Sequence, residues 1–300
     1  MLKVLYSLSW GSYPLAASHR MEIALALVSA LLFALGSVLA QRAALGEARA
    51  GPSSSLLLRM ARRPLWLAGT AADALGFVAQ AGALGAGRLA VVQPLLVTAV
   101  VFALPLGVWL TEQRLHRNEV VAAALVVIAL GGFLLIATPS GGRGDAPVSA
   151  WLIAILACAV ACAPLAALGR AGPARRRAAL LGTSTGILFA LSAALTKAVV
   201  DRLGGGVLHV VAGWELYALI LVGYVSMTLN QLALATGALA AAVATSTALD
   251  PIVSVILGLT VFDEALHASG PRAAGTVGCL VAALGGMVVL ARQQSDSVAA

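Results

Sequence analysis

The sequence predicts an all-α polytopic membrane protein of about nine transmembrane helices, built as an inverted repeat. Three observations carry this. Hydrophobic residues make up 61% of the 300 and charged residues only 10%, where a soluble chain carries about 25% charged residues. The apolar residues gather in nine runs, each near the roughly 20 residues needed to cross about 30 Å of hydrocarbon. The second half of the chain also repeats landmarks of the first. A water-soluble domain of this size could not hide so much apolar surface. That excludes an ordinary cytosolic enzyme and any long disordered segment.

Residues 1–21 read as an N-terminal extension. Lys3 precedes a short mixed run from Val4 to Trp10, followed by Pro14. A cleavable signal peptide needs a cleaner apolar stretch, and Met21 is a candidate start. The apolar runs then span 22–44, 64–86, 89–111, 118–138, 149–169, 178–200, 208–235, 238–262 and 272–292. Lipid offers a backbone no hydrogen bonds, so each must be a helix that satisfies itself. The alternating segments of a β-barrel are absent.

Turn chemistry punctuates the runs: Gly51-Pro52, Gly85 to Arg88, Pro139 to Gly142, Gly172-Pro173 and Gly204 to Gly206. Trp66, Trp109, Trp151 and Trp214 fall near span ends, where an interfacial belt would place them. Cys158 and Cys162 share a helix face, Cys279 stands apart, and the four histidines lie at or near loops. No metal-ligand spacing results, and the cysteines read as small apolar fillers.

Orientation follows from Lys and Arg. Arg42, Arg49, Arg59, Arg62, Arg63, Arg114, Arg117, Arg170, Arg175, Arg176, Arg177 and Arg292 fall on one side. Lys3, Arg20, Arg88, Arg143, Arg202 and Arg272 fall on the other. The richer side is expected in the cytoplasm, with the N-terminus outside and the C-terminus inside the plasma (inner) membrane. The net charge of +7 therefore serves topology, and no nucleic-acid partner is expected.

Ser29 to Leu35, with Phe33-Ala34-Leu35, mirrors Thr185 to Leu191, with Phe189-Ala190-Leu191. Gln41 then aligns with Lys197. Gly87-Arg-Leu89-Ala90 mirrors Gly237-Ala-Leu239-Ala240, Thr111-Glu112 mirrors Asp263-Glu264, and Gly131-Gly132 resembles Gly285-Gly286. The first repeat is thus 22–138 with spans 1–4, and the second is 178–292 with spans 6–9. A linker with span 5 occupies 139–177, and a cytoplasmic tail occupies 293–300. A shift of five spans reverses the crossing direction, so the repeats are expected to be inverted, as in many secondary transporters.

Several motifs stand in a family's order: Pro64-Leu-Trp66-Leu-Ala-Gly69, Val92-Gln-Pro94-Leu95, Leu110-Thr-Glu112-Gln-Arg-Leu115 and Gly131-Gly132. On these the chain resembles the drug/metabolite transporter (DMT) superfamily, with EamA-like halves. The nearer likeness is to the nine-helix branch of the NIPA-type magnesium transporters. The resemblance covers roughly residues 22–292 and implies a transport function. It departs at one place. The magnesium branch resembles Gly-Glu-x-x-Asn in span 2, where this chain has Gly76-Phe77-Val-Ala-Gln80. A hard cation wants carboxylate and carbonyl oxygens, and Phe77 supplies none.

An ionisable side chain within a span is a functional candidate. Asp250 sits midway along span 8, directly before Pro251, and shares a face with Ser246 and Ser254. Pro251 is expected to break the helix into a polar notch, or Asp250 to cap a new segment with Pro251 at its first position. Asp73 and Gln80 share a face of span 2, while Ser226 and Asn230 stand i,i+4 in span 7. Each set serves either a substrate or as polar glue between helices. Gln93 is a cavity amide beside the first-half break at Pro94. Lys197 either snorkels or turns inward to pair with Glu215 as an outer gate. Glu112 and Glu264 end their spans and read as loop anchors.

The expected function is a secondary active transporter, an exporter of a small metabolite or drug-like molecule working by alternating access. Asp250 or Asp73 would bind substrate or a coupling proton. The alternative is a magnesium or divalent cation transporter. An intramembrane enzyme or a structural membrane protein is more remote. No GxxxxGK[ST] sequence occurs, and no cofactor, bound metal or catalytic residue is expected. Expected partners are the small-molecule substrate, a proton or cation, membrane lipid and, as a homodimer, a second copy of the chain.

Overall fold

The computed structural model describes residues 15–48, 63–111, 117–137, 139–142, 144, 146–266 and 271–299. They form an all-α polytopic membrane protein with one short ribbon. Eight helical spans are long and apolar enough to cross a membrane, and a shorter apolar stretch covers Arg272–Ala283.

The chain order is α1 (Leu15–Ala48), α2 (Pro64–Ala86), α3 (Leu89–Leu96), α4 (Thr98–Thr111), α5 (Arg117–Ala137) and β1 (Pro139–Gly141). Then come α6 (Val148–Leu168), α7 (Ala174–Leu203), α8 (Val207–Ala212), α9 (Trp214–Leu234), α10 (Leu239–Thr260), β2 (Glu264–Leu266) and α11 (Pro271–Ala299). Pro64 opens α2 at a position whose N–H would be unpaired anyway. α7 is the most enclosed span, with α6, α9 and α10 packed around it.

Several boundaries differ from the sequence expectation. α1 begins at Leu15, inside the expected extension, and α11 continues to Ala299, through the expected tail. The third span is two helices meeting at Val97, and the seventh is divided at Gly213 into α8 and α9. The break in the third span lies at Val97, three residues beyond Pro94. α10, by contrast, runs unbroken through Pro251. Pro251 is therefore not a helix break, and Asp250 is an interior residue rather than an N-cap. Thr245 and Ser246 turn their hydroxyls onto carbonyls of their own helix, at 2.8 Å to Ala241 and 3.1 Å to Val243.

Small residues set the closest helix contacts, as expected where lipid removes any hydrophobic drive between helices. A Cβ on Gly186 would meet the backbone of Ser246 and, at 2.9 Å, Leu249. A Cβ on Gly132 would stand 3.0 Å from Cys279, and one on Gly286 2.7 Å from Val126. These last two join α5 to α11. Gly131 and Gly285 face open space. Cys158 and Cys162 are buried in the main core cluster, as fillers should be. Trp151 stands at a span end but turns inward. Its ring packs edge-on against Trp214 and Phe262, each 5.7 Å away, so it is core rather than belt.

Candidate functional site

Charged side chains from several elements converge on the corner between α2 and α3. The corner exists because Gly87 and Arg88 are extended between two helices. It leaves the last carbonyls of α2 and the first amides of α3 without intrahelical partners. Lys197 of α7 answers the first need. Its Nζ donates to Leu84 O at 3.0 Å and Gly87 O at 2.7 Å. Glu264 of β2 answers the second. Its carboxylate accepts the N–H of Leu89 at 2.8 Å and of Ala90 at 2.9 Å. Glu22 of α1 accepts the Arg88 N–H at 2.8 Å, and the Arg88 guanidinium lies 3.5 Å from it.

Cation at the helix C-terminus and anion at the N-terminus each suit the helix dipoles. Glu22, Lys197 and Glu264 are all buried. Burial pushes the Glu264 carboxyl above the usual carboxylate range. The Ala90 and Leu89 amides, Lys197 and Arg88 pull it back. The ribbon holds Glu264 in place. β1 and β2 pair antiparallel with Gly141 opposite Glu264, and Gly141 O accepts Arg88 Nε at 3.3 Å. Gly141 and Gly142 both have positive φ, at 69° and 107°, a turn that suits residues without a Cβ.

Lys197 turns inward, but the expected Lys197–Glu215 gate pair is not formed. Lys197 is taken by the carbonyls of the corner, with Asp201 3.9 Å away. Glu215 instead binds Arg202, at 2.6 Å. The physical reason is spacing. Asp201 and Arg202 lie one turn past Lys197, level with the start of α9, whereas Lys197 lies level with the end of α2. Glu264 is an anchor, as expected, but for a helix 175 residues earlier in the chain. Glu112 lies outside the described residues.

The mid-span candidates are more dispersed. Asp250 Oδ1 accepts the Ser254 hydroxyl at 3.2 Å, which joins two of the three residues expected to share a face. Asp73 is half-buried against α1, where a Cβ on Gly36 would collide with its carboxylate. Gln80 and Asn230 are half-buried, and among the described residues no hydrogen bond joins them. Ser226 is buried and donates to Gly223 O of its own helix at 2.9 Å. Gln93 is buried, and its Nε2 has no acceptor. Phe77 is 65% exposed and meets Phe33 edge-on at 5.0 Å.

Sequence reasoning missed Glu22, Arg88, Asp201 and Arg202 as one assembly. A signal was present. Each lies where the predicted topology brings a span end to the same side as Lys197, Glu215 and Glu264.

No family model matches the chain, and no solved structure matches it. An uncharacterized protein of Corynebacterium glutamicum is 33% identical over 249 residues, covering 82% of this chain and 86% of that protein. Identity at this level over most of both chains is shared ancestry, and the chain belongs to the family of that uncharacterized Corynebacterium glutamicum protein.

Proposed function

We propose that this protein is a secondary active transporter of the DMT type, an exporter of a small metabolite or drug-like molecule across the plasma membrane. Two inverted halves, spans 1–4 and spans 6–9, would rock about span 5. One observation carries the reading: residues of the second half, Lys197 and Glu264, hold the helix corner of the first half by four charged hydrogen bonds. Contacts of this kind, gathered at one end of the bundle, are what a closed gate between two halves requires. By the Lys and Arg distribution that end is the outer one.

Paired packing supports the repeat. α1 packs against α2 and α4, as α7 packs against α9 and α10. The matched glycines Gly132 and Gly286 both lie in the contact between α5 and α11. With the outer end held shut, Asp250 with Ser254, and Asp73, are the residues expected to bind substrate or a coupling proton from within.

Magnesium transport is the second reading. Against it, the residue matched to the branch's acidic position is the exposed Phe77.

The test is flux into proteoliposomes carrying trapped Mg2+ and pH indicators, challenged with Mg2+ and with a panel of organic solutes. Wild type is compared with Asp250→Asn and Asp73→Asn. Saturable, proton-coupled movement of an organic solute that is lost in Asp250→Asn is the expected result. Saturable Mg2+ flux, lost in either variant, would replace the proposal with the cation reading.

A further inference from the structure

We propose that the cavity bounded by α6, the end of α7 and the start of α9 is a binding site for a small organic ammonium ion. The cavity holds ≈ 360 Å³ and is lined by Trp151, Ala198, Asp201, Arg202, Glu215 and Ala146, among others. Small-molecule sites occupy about 300–1,000 Å³. The volume is about a dozen times the roughly 30 Å³ share of a liquid water, so it suits an organic ion better than a bare metal.

Its lining asks for hydrogen-bond donors. Glu215 is 4% exposed, and one of its oxygens, Oε1, is taken by Arg202. The other, Oε2, is buried with no hydrogen-bond partner. Asp201 Oδ2 is likewise buried without one. The Lys197 ammonium nearest to it is 3.9 Å away and already donates to Leu84 and Gly87. Buried acceptors left unmade are costly.

An ammonium has three donors and no acceptor, so it is the class of ion that answers acceptors left without a hydrogen bond. Trp151 is among the lining residues, so an aromatic side chain stands beside a cation or its alkyl body. Ala198 and Ala146 keep the remaining wall shallow. Two carboxylates, one of them shared with Arg202, are too few oxygens for a hard divalent cation, which takes about six or more.

The binding requires no transport and is measured at equilibrium, so its failure leaves the transport reading standing, and the reverse. The probe is n-butylammonium, titrated calorimetrically into the protein in nanodiscs, with n-butanol and Mg2+ as comparisons. Saturable binding of n-butylammonium alone is expected, weakened at least tenfold in Glu215→Gln and, separately, in Asp201→Asn. Folding of each variant is read from a single size-exclusion peak and unchanged helical circular dichroism. Should Glu215→Gln fail to fold with Arg202 unpaired, Asp201→Asn decides, and the wild-type contrast of amine with alcohol decides independently. No saturable amine binding by folded wild type, equal binding of n-butanol, tighter binding of Mg2+ than of the amine, or undiminished binding by the folded variants would each overturn the proposal.

Discussion

Replacing Glu264 by Gln tests the clamp at its centre. The wild-type carboxylate accepts two backbone amides at 2.8 and 2.9 Å, and a hydrogen bond to a charged group contributes about 1.5–3 kcal/mol. Gln keeps one acceptor oxygen and turns an NH2 toward the other amide. One charged bond is lost, the second becomes neutral, and a buried N–H faces a donor. Relief of the carboxylate's desolvation, which the raised pKa of Glu264 records, returns part of this. The net loss is about 2 kcal/mol. Large domains lose roughly 2–4 °C of melting temperature per kcal/mol, so melting should fall by about 4–8 °C. A fluorogenic maleimide reports it, since Cys158 and Cys162 are buried and react on unfolding. Ala265→Gln, an exposed neighbour on the same strand, is the control and should melt like wild type. A Glu264→Gln melt within about 1 °C of wild type would refute the claim that this carboxylate holds the α2–α3 corner.

Other outcomes follow from the same contacts. Gly186→Ala drives a methyl into the Ser246 backbone, which cannot yield. It should cost more than about 2 kcal/mol and lower the yield of monodisperse protein. Gly36→Ala meets the Asp73 side chain first, with Gly69 O 3.0 Å away, so it should fold but displace Asp73, which is read as lost flux with retained melting temperature. Asp250→Asn keeps the shape beside Ser254 and should leave melting within about 2 °C while abolishing proton-coupled flux in liposomes.

Composition and run length alone determined that the chain is helical and embedded in a membrane. An apolar run of span length has no other fold in lipid, because its backbone must be satisfied within the segment. The inward turn of Lys197 was one of two readings open in the sequence. The tertiary structure chose it, because the α2–α3 corner leaves carbonyls that the long side chain of Lys197 reaches from α7.

Pairing across distance was illegible. Glu264 and Ala90 lie 174 residues apart, and no local spacing announces that one caps the other. The notch expected at Pro251 failed for the opposite reason. A proline removes one N–H, but α10 continues as helix through it, packed just before it against Gly182 and Gly186 of α7. Periodicity and hydropathy are local or additive properties, so the sequence carries them openly. Which buried charge meets which helix end depends on how the spans pack, and only the folded bundle decides that.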